Sequence, residues 1–317
     1  MSKQKLVITG AAGLVGMNLL AMLKGSEKYS ITAIDKDKEK LRTFEWLFPG
    51  VKAVWADISE KGEWEKEFSG AHSVVQLQAQ ISATEGRPYQ KNNIDTVENV
   101  LNACENNNVK HLIHFSSSVV ISVAEDNYTN TKKEGEELVK KSKVPYTIIR
   151  PPLMYGCFDT KHLGFMDALL DKSPVFPVPG SGKYLRQPLF VEDICKIVIK
   201  LLEIKPENKA YDIIGKEKIH FVGLVKIIAK EKKQKRLFIP IPIPVFLFLL
   251  RCYSWLTGKK PFIPDQLKAL TAGDIFPVTN WEDEFDVKYT PFRQGFRKTI
   301  SSEYYKYKKI FMKKAKH

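Results

Sequence analysis

The sequence lacks the features that mark several classes of protein. Its four cysteines, Cys104, Cys157, Cys195 and Cys252, lie far apart and form no C-x-x-C pair, so we expect neither a disulfide framework nor a zinc or other metal site. No uninterrupted apolar run approaches the roughly 20 residues that cross a bilayer. The chain starts "MSKQKLVITG" and passes directly into a strand-like run, so we expect no cleaved signal peptide. These absences fit a cytoplasmic protein.

Acidic residues are the minority among the charged ones. The chain has 50 Lys and Arg against 36 Asp and Glu, a formal net charge of +14. Much of the excess lies late, in "KEKKQKR" (230–236) and in "YYKYKKIFMKKAKH" (304–317). Since no zinc-finger or RNP motif accompanies these runs, we expect no nucleic-acid partner. They indicate solvated faces or attraction to an anionic membrane or phosphorylated substrate.

Short apolar runs alternate with amphipathic segments through the first half of the chain. This alternation predicts βαβ units and a parallel sheet. The strand-like runs are "KLVITG", "SITAID", "VKAVWAD", "HSVVQLQA", "HLIHFSS" and "YTIIRP". From about residue 153 the pattern becomes rich in Pro and Gly, and from about residue 220 it is mainly helical. We therefore predict an α/β fold with a doubly wound parallel sheet and a smaller, mainly helical C-terminal lobe.

The segment "VITGAAGLVG" places Gly10, Gly13 and Gly16 between the first strand and a helix. Small residues let the backbone turn sharply and approach a pyrophosphate, with free N–H groups and the positive helix end aimed at it. Asp35 ends the second strand 19 residues after Gly16. A carboxylate there accepts both ribose hydroxyls of NAD and repels the extra phosphate of NADP. We therefore predict a Rossmann-type domain with NAD as its cofactor.

The changes of pattern set the predicted domain boundaries. Residues 1–152 form the NAD-binding Rossmann domain, which is completed by about 186–216. Residues 153–185 and 217–317 form the substrate-binding lobe. The sequence contains no internal repeat, so we expect the lobe to be assembled from these separate segments.

The segment "YTNTKKEGEELV" begins with Tyr128 and has Lys132 four residues later. Residues at i and i+4 share a helix face. The lysine ammonium and a positive nicotinamide ring would favour phenolate and lower the tyrosine pKa from its usual value of about 10. A serine of "FSSSVV", at the end of the fifth strand, would hold the same substrate oxygen. Alone, the segment is equally typical of a charged solvated helix, an interpretation we keep for residues 134–141.

Together these motifs resemble the extended short-chain dehydrogenase/reductase family, of the NAD-dependent epimerase/dehydratase kind, over about residues 5–215. The matching segments are the glycine spacing after "TG", the "FSSS" run, Y-x-x-x-K, "NNIDTVENVL", "IIRPPLMYG" and "RQPLFVEDI". The resemblance implies that Ser118, the third serine of its run, acts with Tyr128 and Lys132. Ser117 is the alternative serine.

The resemblance also implies further contacts to the cofactor and the substrate. The additional cofactor residues are Asp57, Ile58, Leu77, Gln78, Ala79, Asn93 and Pro151. Asp57 is equally typical of a turn, and Gln78 of strand packing. The substrate residues are Gln80, Leu153 and Arg186. The family arginine commonly grips a sugar-nucleotide diphosphate, although a surface arginine near Asp193 fits too, and Leu153 replaces the family's polar asparagine.

Two features limit the types of reaction that the sequence favours. Dehydratases of the family carry an Asp-Glu pair before the tyrosine helix, whereas "VVIS" follows Ser118 here. A net reductase usually prefers NADPH, which Asp35 disfavours. The remaining chemistry is 4-epimerisation of a nucleotide sugar or a polyprenyl-diphosphate-linked sugar through a transient keto intermediate on NAD. Alternatives are a membrane-associated NAD-dependent hydroxysteroid or alcohol dehydrogenase and a catalytically silent NAD-binding subunit.

Two further segments bear on partners. Only nine residues separate Ser118 from Tyr128, so substrate contacts usually made by that loop must come from elsewhere. The segment "KRLFIPIPIPVFLFLLRCYSWLTGKKPF" predicts a helix from about Val245, either buried over the substrate cleft or lying on a membrane surface. The second interpretation places the protein peripherally at the inner face of the membrane. A homodimer through the tyrosine-bearing helix and the preceding helix is expected from the resemblance.

Overall fold

A parallel sheet forms the centre of the computed structural model, which describes residues 3–81, 83, 85–122, 125–257, 273 and 275–307. Its seven strands are β1 (Gln4–Thr9), β2 (Tyr29–Asp35), β3 (Lys52–Trp55), β4 (Ala71–Gln76), β5 (His111–Phe115), β6 (Tyr146–Arg150) and β11 (Lys209–Asp212). Their order is β3-β2-β1-β4-β5-β6-β11, and every neighbouring pair is parallel.

Helices cover both faces of the sheet. They are α1 (Leu14–Leu23), α2 (Lys38–Leu41), α3 (Phe44–Leu47), α4 (Arg87–Gln90), α5 (Thr96–Asn106), α6 (Asn127–Lys141), α7 (His162–Lys172), α8 (Val191–Leu201), α9 (Phe221–Glu231), α10 (Ile243–Thr257), α11 (Trp281–Phe285) and α12 (Phe292–Ser301). Single turns of 3-10 helix span Glu63–Phe68, Ser118–Ile121 and Glu303–Tyr307, and a π-helical turn spans Lys91–Asp95.

The residues of β1 show why this sheet lies inside the molecule. Leu6 and Ile8 pack with α1 and α8 on one face, and Val7 packs with α5 and α6 on the other. All three side chains are fully buried. Because helices cover both faces, the strand needs a continuous apolar run instead of an alternating one. The predicted α/β class with a doubly wound parallel sheet is confirmed.

The strand order changes direction between β1 and β4. β1 lies between β2 and β4, and the chain returns from the edge strand β3 to place β4 on the other side of β1. The connections after β1 and β4 therefore leave in opposite directions and open a crevice at the carboxyl ends of these strands. The predicted glycine loop follows β1, and the predicted residues Leu77 to Gln80 follow β4. The topology thus gathers these two predicted segments at one edge of the sheet.

A second group of elements forms a smaller lobe. Its short strands are β7 (Met154–Tyr155), β8 (Val175–Pro179), β9 (Leu185–Arg186), β10 (Leu189–Phe190), β12 (Ile219–His220) and β13 (Leu237–Ile241), paired as β7–β10, β9–β12 and β8–β13. An apolar cluster joins α7, α9 and α12 through Leu163, Leu224 and Phe292. Trp281 of α11, by contrast, packs in the cluster of Leu6. The C-terminal part of the predicted lobe therefore also covers the sheet.

A buried aspartate on helix α8 binds the C-terminal segment through two hydrogen bonds. Asp193 on α8 has no exposed surface and accepts hydrogen bonds from the Thr290 N–H (2.7 Å) and hydroxyl (2.8 Å). Gln187 acts similarly, since its side chain accepts from the Phe276 N–H (2.6 Å) and donates to the Gly215 carbonyl (3.2 Å). These bonds satisfy buried backbone groups that would otherwise destabilise the fold.

Candidate active site

The glycine loop lies directly against the end of β4. Gly10 has φ +70°, and a Cβ there would lie 2.6 Å from the backbone nitrogen of Gln78. A Cβ on Gly16 would lie 2.4 Å from the Ala11 carbonyl oxygen. Gly13 is the residue before the first turn of α1 and brings no side chain to cap it. The loop is therefore a close-packed turn whose helix end presents backbone N–H groups, as a bound pyrophosphate requires.

The carboxylate of Asp35 is held beside this loop. It accepts hydrogen bonds from the backbone N–H groups of Ala12 and Asp37, each at 2.9 Å. Each carboxylate oxygen has a second lone pair, so the group keeps acceptor capacity for ribose hydroxyls. Lys38, one of the neighbouring lysines, lies over the ring of Trp55 at 5.0 Å. The position fits the NAD preference predicted from the sequence.

Asp57 closes a turn after β3. Its carboxylate accepts from the Ser59 N–H (3.2 Å) and hydroxyl (2.6 Å) and lies 3.4 Å from the Lys91 ammonium. Burial raises the pKa of Asp57, but the Ser59 hydrogen bonds and the charges of Lys36 and Lys91 outweigh that effect and hold the pKa below its usual value. Ile58, beside it, is buried. These contacts fit the interpretation of Asp57 as a turn residue. Its contact with the adenine of the cofactor stays a prediction.

Gln78 offers an unused donor at the crevice. The Thr9 hydroxyl donates to Oε1 of Gln78 (2.7 Å), which fixes the amide with Nε2 on its other side. That Nε2 is buried and has no hydrogen-bond partner among the described residues. The N–H of Leu77 is already taken by the Thr9 carbonyl (2.9 Å). Because an unpaired buried donor is costly, Gln78 Nε2 is suited to an oxygen of a bound dinucleotide, and Ala79 follows it directly.

Asn93 braces the segment after β4. Its Oδ1 accepts from the Gln80 N–H (2.7 Å), and its Nδ2 donates to the Gln80 carbonyl (3.2 Å) and the Thr131 hydroxyl (3.0 Å). Asn93 lies in the π-helical turn, a form often found at functional sites. A Cβ on Gly135 would lie 3.1 Å from the Asn93 carbonyl oxygen. Helix α6 thus packs closely on this turn, a role of Gly135 that the sequence analysis missed.

Tyr128 sits in the first turn of α6. The helix starts after Asp126, whose side chain accepts from the Thr129 N–H (2.7 Å), a standard N-cap contact. The side chain of Ser117 acts on the tyrosine hydroxyl and lowers its pKa. Ser118, the serine predicted first, is buried in the adjacent turn, where its N–H donates to the Pro151 carbonyl (2.9 Å). The contact with Tyr128 therefore favours the alternative, Ser117.

Lys132 lies one turn beyond Tyr128 and is almost completely buried, with 2% of its surface exposed. Its ammonium donates to the carbonyl of Phe115 (2.7 Å), the residue just before the serine run. Burial lowers the pKa of Lys132 to about 8, against an opposing effect of the Glu136 carboxylate. The side chain is thus bound to the end of β5, where the predicted serines begin.

The pKa of Tyr128 differs from the sequence-based expectation. Burial raises it above its usual value of 10, Ser117 lowers it, and Asp126 and Tyr89 raise it further. Desolvation disfavours phenolate more strongly than the neighbouring groups favour it. In the protein alone the tyrosine is therefore a weaker acid than a free one. The predicted lowering of the Tyr128 pKa therefore needs the positive charge of a bound nicotinamide ring.

A buried ion pair lies one helical turn beyond Lys132. Glu136 is 2% exposed, and its carboxylate accepts from Nε (2.8 Å) and Nη2 (2.6 Å) of Arg150. Arg150 also lies 3.4 Å from the Asp212 carboxylate. Our interpretation of residues 134–141 as solvated is wrong at Glu136, because this side chain faces the sheet. The i,i+4 spacing of Lys132 and Glu136 was the available signal.

The predicted substrate residues lie toward the lobe. Arg186 is 9% exposed and lies over the ring of Tyr184 at 5.9 Å. It is therefore not a surface arginine, and the alternative partner Asp193 is engaged by Thr290. Leu153 packs against the lobe cluster, and its carbonyl accepts from the Leu189 N–H (2.9 Å). The backbone of Gln80 is occupied by Asn93.

Helix α10 is more exposed than expected for a helix buried over the substrate cleft. It starts at Ile243, two residues before the predicted start, because Pro244 falls in its first turn, where a missing N–H costs nothing. Phe248, Trp255 and Leu256 are 64%, 85% and 74% exposed. Within the described residues, no helix is both long enough and apolar enough to cross a membrane.

Comparisons with known proteins agree with this geometry. The model of the NAD dependent epimerase/dehydratase family matches residues 6–214. The chain is 24% identical to N-acetyl-alpha-D-glucosaminyl-diphospho-ditrans,octacis-undecaprenol 4-epimerase of Escherichia coli O157:H7, covering 96% of both proteins. It is also 24% identical to 3beta-hydroxysteroid-dehydrogenase/decarboxylase isoform 2 of Arabidopsis thaliana, covering 93% of this chain but only 61% of the plant protein.

A solved structure supports the fold. The UDP-glucuronic acid 4-epimerase of Bacillus cereus, in complex with NAD, superposes with a TM-score of 0.66 at 22% identity. The match covers 76% of this chain and 86% of the Bacillus cereus chain. At this identity the likeness establishes the architecture, a Rossmann-type sheet with an appended lobe.

The first testable prediction concerns the buried charge of Lys132. A lysine whose pKa falls from 10.5 to about 8 on folding destabilises the folded state below pH 8, and this cost disappears as pH rises toward 10.5. Lys132→Met should therefore raise the free energy of unfolding by about 2 kcal/mol at pH 7 after the lost bond to Phe115 is counted. The advantage over wild type should shrink by about 2 kcal/mol by pH 9.5. Urea titrations at both pH values measure it.

Lys141→Met is the matched control, since Lys141 is an exposed lysine of the same helix. It should change stability by no more than about 0.5 kcal/mol at either pH. A Lys132→Met protein that is less stable than wild type at pH 7 would show that the ammonium is fully compensated by Phe115 and Glu136.

The second prediction concerns the cofactor. Asp35→Asn removes the charge that repels a 2′-phosphate and weakens the acceptor for ribose hydroxyls. We expect NAD to bind about tenfold more weakly and NADP to bind more tightly than to wild type. Isothermal titration with each dinucleotide measures both changes. Asp37→Asn, at the neighbouring aspartate that caps α2, should leave the NAD-to-NADP ratio unchanged; an unchanged ratio in Asp35→Asn would refute the assignment.

Proposed function

The chain belongs to the NAD dependent epimerase/dehydratase family, and we propose that it is a 4-epimerase of a sugar carried on a nucleotide or a polyprenyl diphosphate. The cofactor is NAD, as in the family as a whole. The observation that carries the proposal is the position of Tyr128 on α6, one turn before the buried Lys132, which is bound to the end of β5 where the serine run begins. That arrangement supplies a proton acceptor at a fixed point beside the crevice between β1 and β4.

The predicted cofactor residues divide by what each could do. In this proposal the backbone groups of the loop with Gly10, Gly13 and Gly16 hold the pyrophosphate, and Asp35 holds the ribose of the adenosine half. Gln78 Nε2 donates to a dinucleotide oxygen, and the remaining predicted contacts line the path of the cofactor. These are Asp57, Ile58, Leu77, Ala79, Asn93 and Pro151. When bound, NAD would supply the hydride acceptor and donor of the reaction.

The side chains of this chain handle the proton. Tyr128 takes the proton of the sugar hydroxyl as the carbinol becomes a ketone and returns it to the same oxygen when the inverted alcohol forms. Ser117 donates a hydrogen bond to that oxygen and keeps it beside the tyrosine. Lys132 stabilises the phenolate electrostatically. The proton returns to the oxygen that it left, and the cycle is redox-neutral because the hydride given to the cofactor would also return to the carbon.

The substrate is proposed to lie between the sheet and the lobe. Arg186 would bind a phosphate of the diphosphate, a role suited to its fork of donors, with Gln80 and Leu153 lining the sugar side. We keep the division into residues 1–152 with 186–216 and the lobe of 153–185 with 217–317 as a proposal, with β9, β10 and α11 crossing its boundaries. The Escherichia coli relative is named for an undecaprenol-diphosphate sugar and the Bacillus cereus structure for a UDP sugar. Both carriers share the diphosphate that Arg186 would recognise.

Location and assembly belong to the same proposal. We expect the protein in the cytoplasm, peripheral to the inner face of the membrane. A homodimer would form through α5 and α6, the helix pair on one face of the sheet. The charged outer residues of α6 would then lie at its edge.

A second function is kept because of one comparison. The Arabidopsis relative is named as a 3beta-hydroxysteroid-dehydrogenase/decarboxylase, and net oxidation of an alcohol needs the same tyrosine, lysine and serine. This alternative differs from epimerisation in one observable, the accumulation of NADH.

The third testable prediction separates these reactions. Wild-type protein is incubated with a panel of UDP sugars and polyprenyl-diphosphate sugars and followed by NMR and by absorbance at 340 nm. Epimerisation predicts interconversion of two sugars with no net gain of NADH. Absorbance that grows in step with the substrate consumed would favour the dehydrogenase. Tyr128→Phe should lower turnover at least about a hundredfold, whereas Tyr146→Phe, in β6, should not; equal turnover in both would refute the assignment of Tyr128.

A further inference from the structure

Helix α10 turns its apolar side toward solvent. Val245, Phe248, Leu249, Trp255 and Leu256 lie at helical positions i, i+3, i+4, i+10 and i+11 and are 48%, 64%, 48%, 85% and 74% exposed. We call these five residues the apolar stripe. In a globular protein such a stripe faces the core. Here the side chains on the outer face of the helix are the apolar ones, which indicates a surface made to be covered.

The strand before α10 extends this surface. Leu237 and Ile239 of β13 are 60% and 40% exposed. Within the described residues β13 is paired on one side only, with β8. The strand that leads into α10 therefore adds two exposed apolar side chains to those of the stripe.

Exposed basic residues lie on α9, in the segment between α9 and β13, and on α10 itself. The ammonium of Lys226 lies 5.8 Å from the ring of Phe238 in β13, and Lys230 follows one turn later on α9. Lys233, Lys235 and Arg251 are also exposed. We call these five residues the basic rim. The sequence 243–257 contains no acidic residue, so anionic groups would meet no repulsion along the helix itself.

The dimensions of α10 limit how it could meet a lipid phase. Its 15 residues span about 22 Å at 1.5 Å per residue, shorter than a hydrocarbon core of about 30 Å. A short helix with an outward apolar stripe, an exposed tryptophan and basic flanks has the properties of one that lies in the membrane interface. It would bury the stripe below the headgroups and leave the rim among their phosphates.

We propose that the apolar stripe and the basic rim dock this protein on an anionic phospholipid bilayer. A second copy of the chain would bring two basic rims together, and like charges across an interface oppose association. Anionic headgroups are complementary to the rim and the lipid tails to the stripe.

Docking has a consequence for the substrate. An enzyme held at the bilayer reaches sugars whose diphosphate is anchored there by a polyprenyl chain. This step, unlike docking itself, rests on the proposed function. It places the polyprenyl-diphosphate-linked class ahead of the nucleotide-linked class.

Vesicle co-sedimentation of the full chain is the fourth test. The probes are phosphatidylcholine vesicles with and without phosphatidylglycerol, and the variants are Phe248→Ser/Trp255→Ser in the stripe and Lys226→Glu/Lys230→Glu in the rim. Wild type should bind vesicles that contain phosphatidylglycerol. The stripe variant should lose about a hundredfold in partitioning, and the rim variant at least about tenfold, on the anionic vesicles only.

Trp46→Ser/Ile204→Ser is the matched control. These side chains are 49% and 50% exposed and lie outside the surface, so this variant should bind vesicles like wild type. Unchanged NAD affinity in every variant shows that the fold is retained. Unchanged turnover of any accepted nucleotide sugar separates a failure of docking from a failure of the proposed epimerisation.

Three results would overturn the proposal. The first is wild type that remains in the supernatant with both kinds of vesicle, and the second is a stripe variant that binds as well as the control. In the third, sedimentation velocity without lipid would show that the stripe variant loses a self-association that wild type has, while vesicle binding is equal. The surface would then be an interface between copies of the chain.

Discussion

The site depends on one buried cation. Lys132 lies at the centre of the molecule with its ammonium on the carbonyl of Phe115, and burial works against its charge. A lysine in such a place is retained for the field it creates, since a methionine would fill the space at lower cost. Glu136 limits that cost, because its carboxylate lies one turn away on α6 and favours the charged form of Lys132. On this side of the sheet the core therefore contains a buried ammonium group with polar neighbours.

The residues predicted to bind the cofactor and those predicted to act in catalysis are connected through helix α6. The loop with Gly10 packs on the end of β4, and the residues after β4 are braced by Asn93 to Thr131 of α6. Helix α6 carries Tyr128 and Lys132, so the proposed proton acceptor is connected to the glycine loop through these contacts. The tyrosine pKa is raised by burial. The nicotinamide ring of bound NAD would supply a positive charge that lowers this pKa.

Local patterns were sufficient to predict the sheet, the close-packed glycine turn, the position of Asp35 beside that turn and the placement of Tyr128 and Lys132 on one helix. Each of these depends on residues close in sequence or on a strand that must be apolar on both faces, as in β1. Three features depended on long-range packing instead. The burial of Glu136 is set by Arg150 in a different strand, and the brace of Asn93 by Gln80 and Thr131. The outward face of α10 could not be distinguished from a buried one, because periodicity reports which residues share a face and not what that face meets.

The central claim is that the cofactor turns a half-buried tyrosine into a base. The most direct measurement is the pKa of Tyr128 with and without NAD, from the ring carbon resonances of ¹³C-labelled tyrosine, assigned by their absence in Tyr128→Phe. Without NAD the pKa should lie above 10, as burial dictates, and with saturating NAD it should fall below 10. A pKa that stays above 10 when NAD is bound would contradict the account.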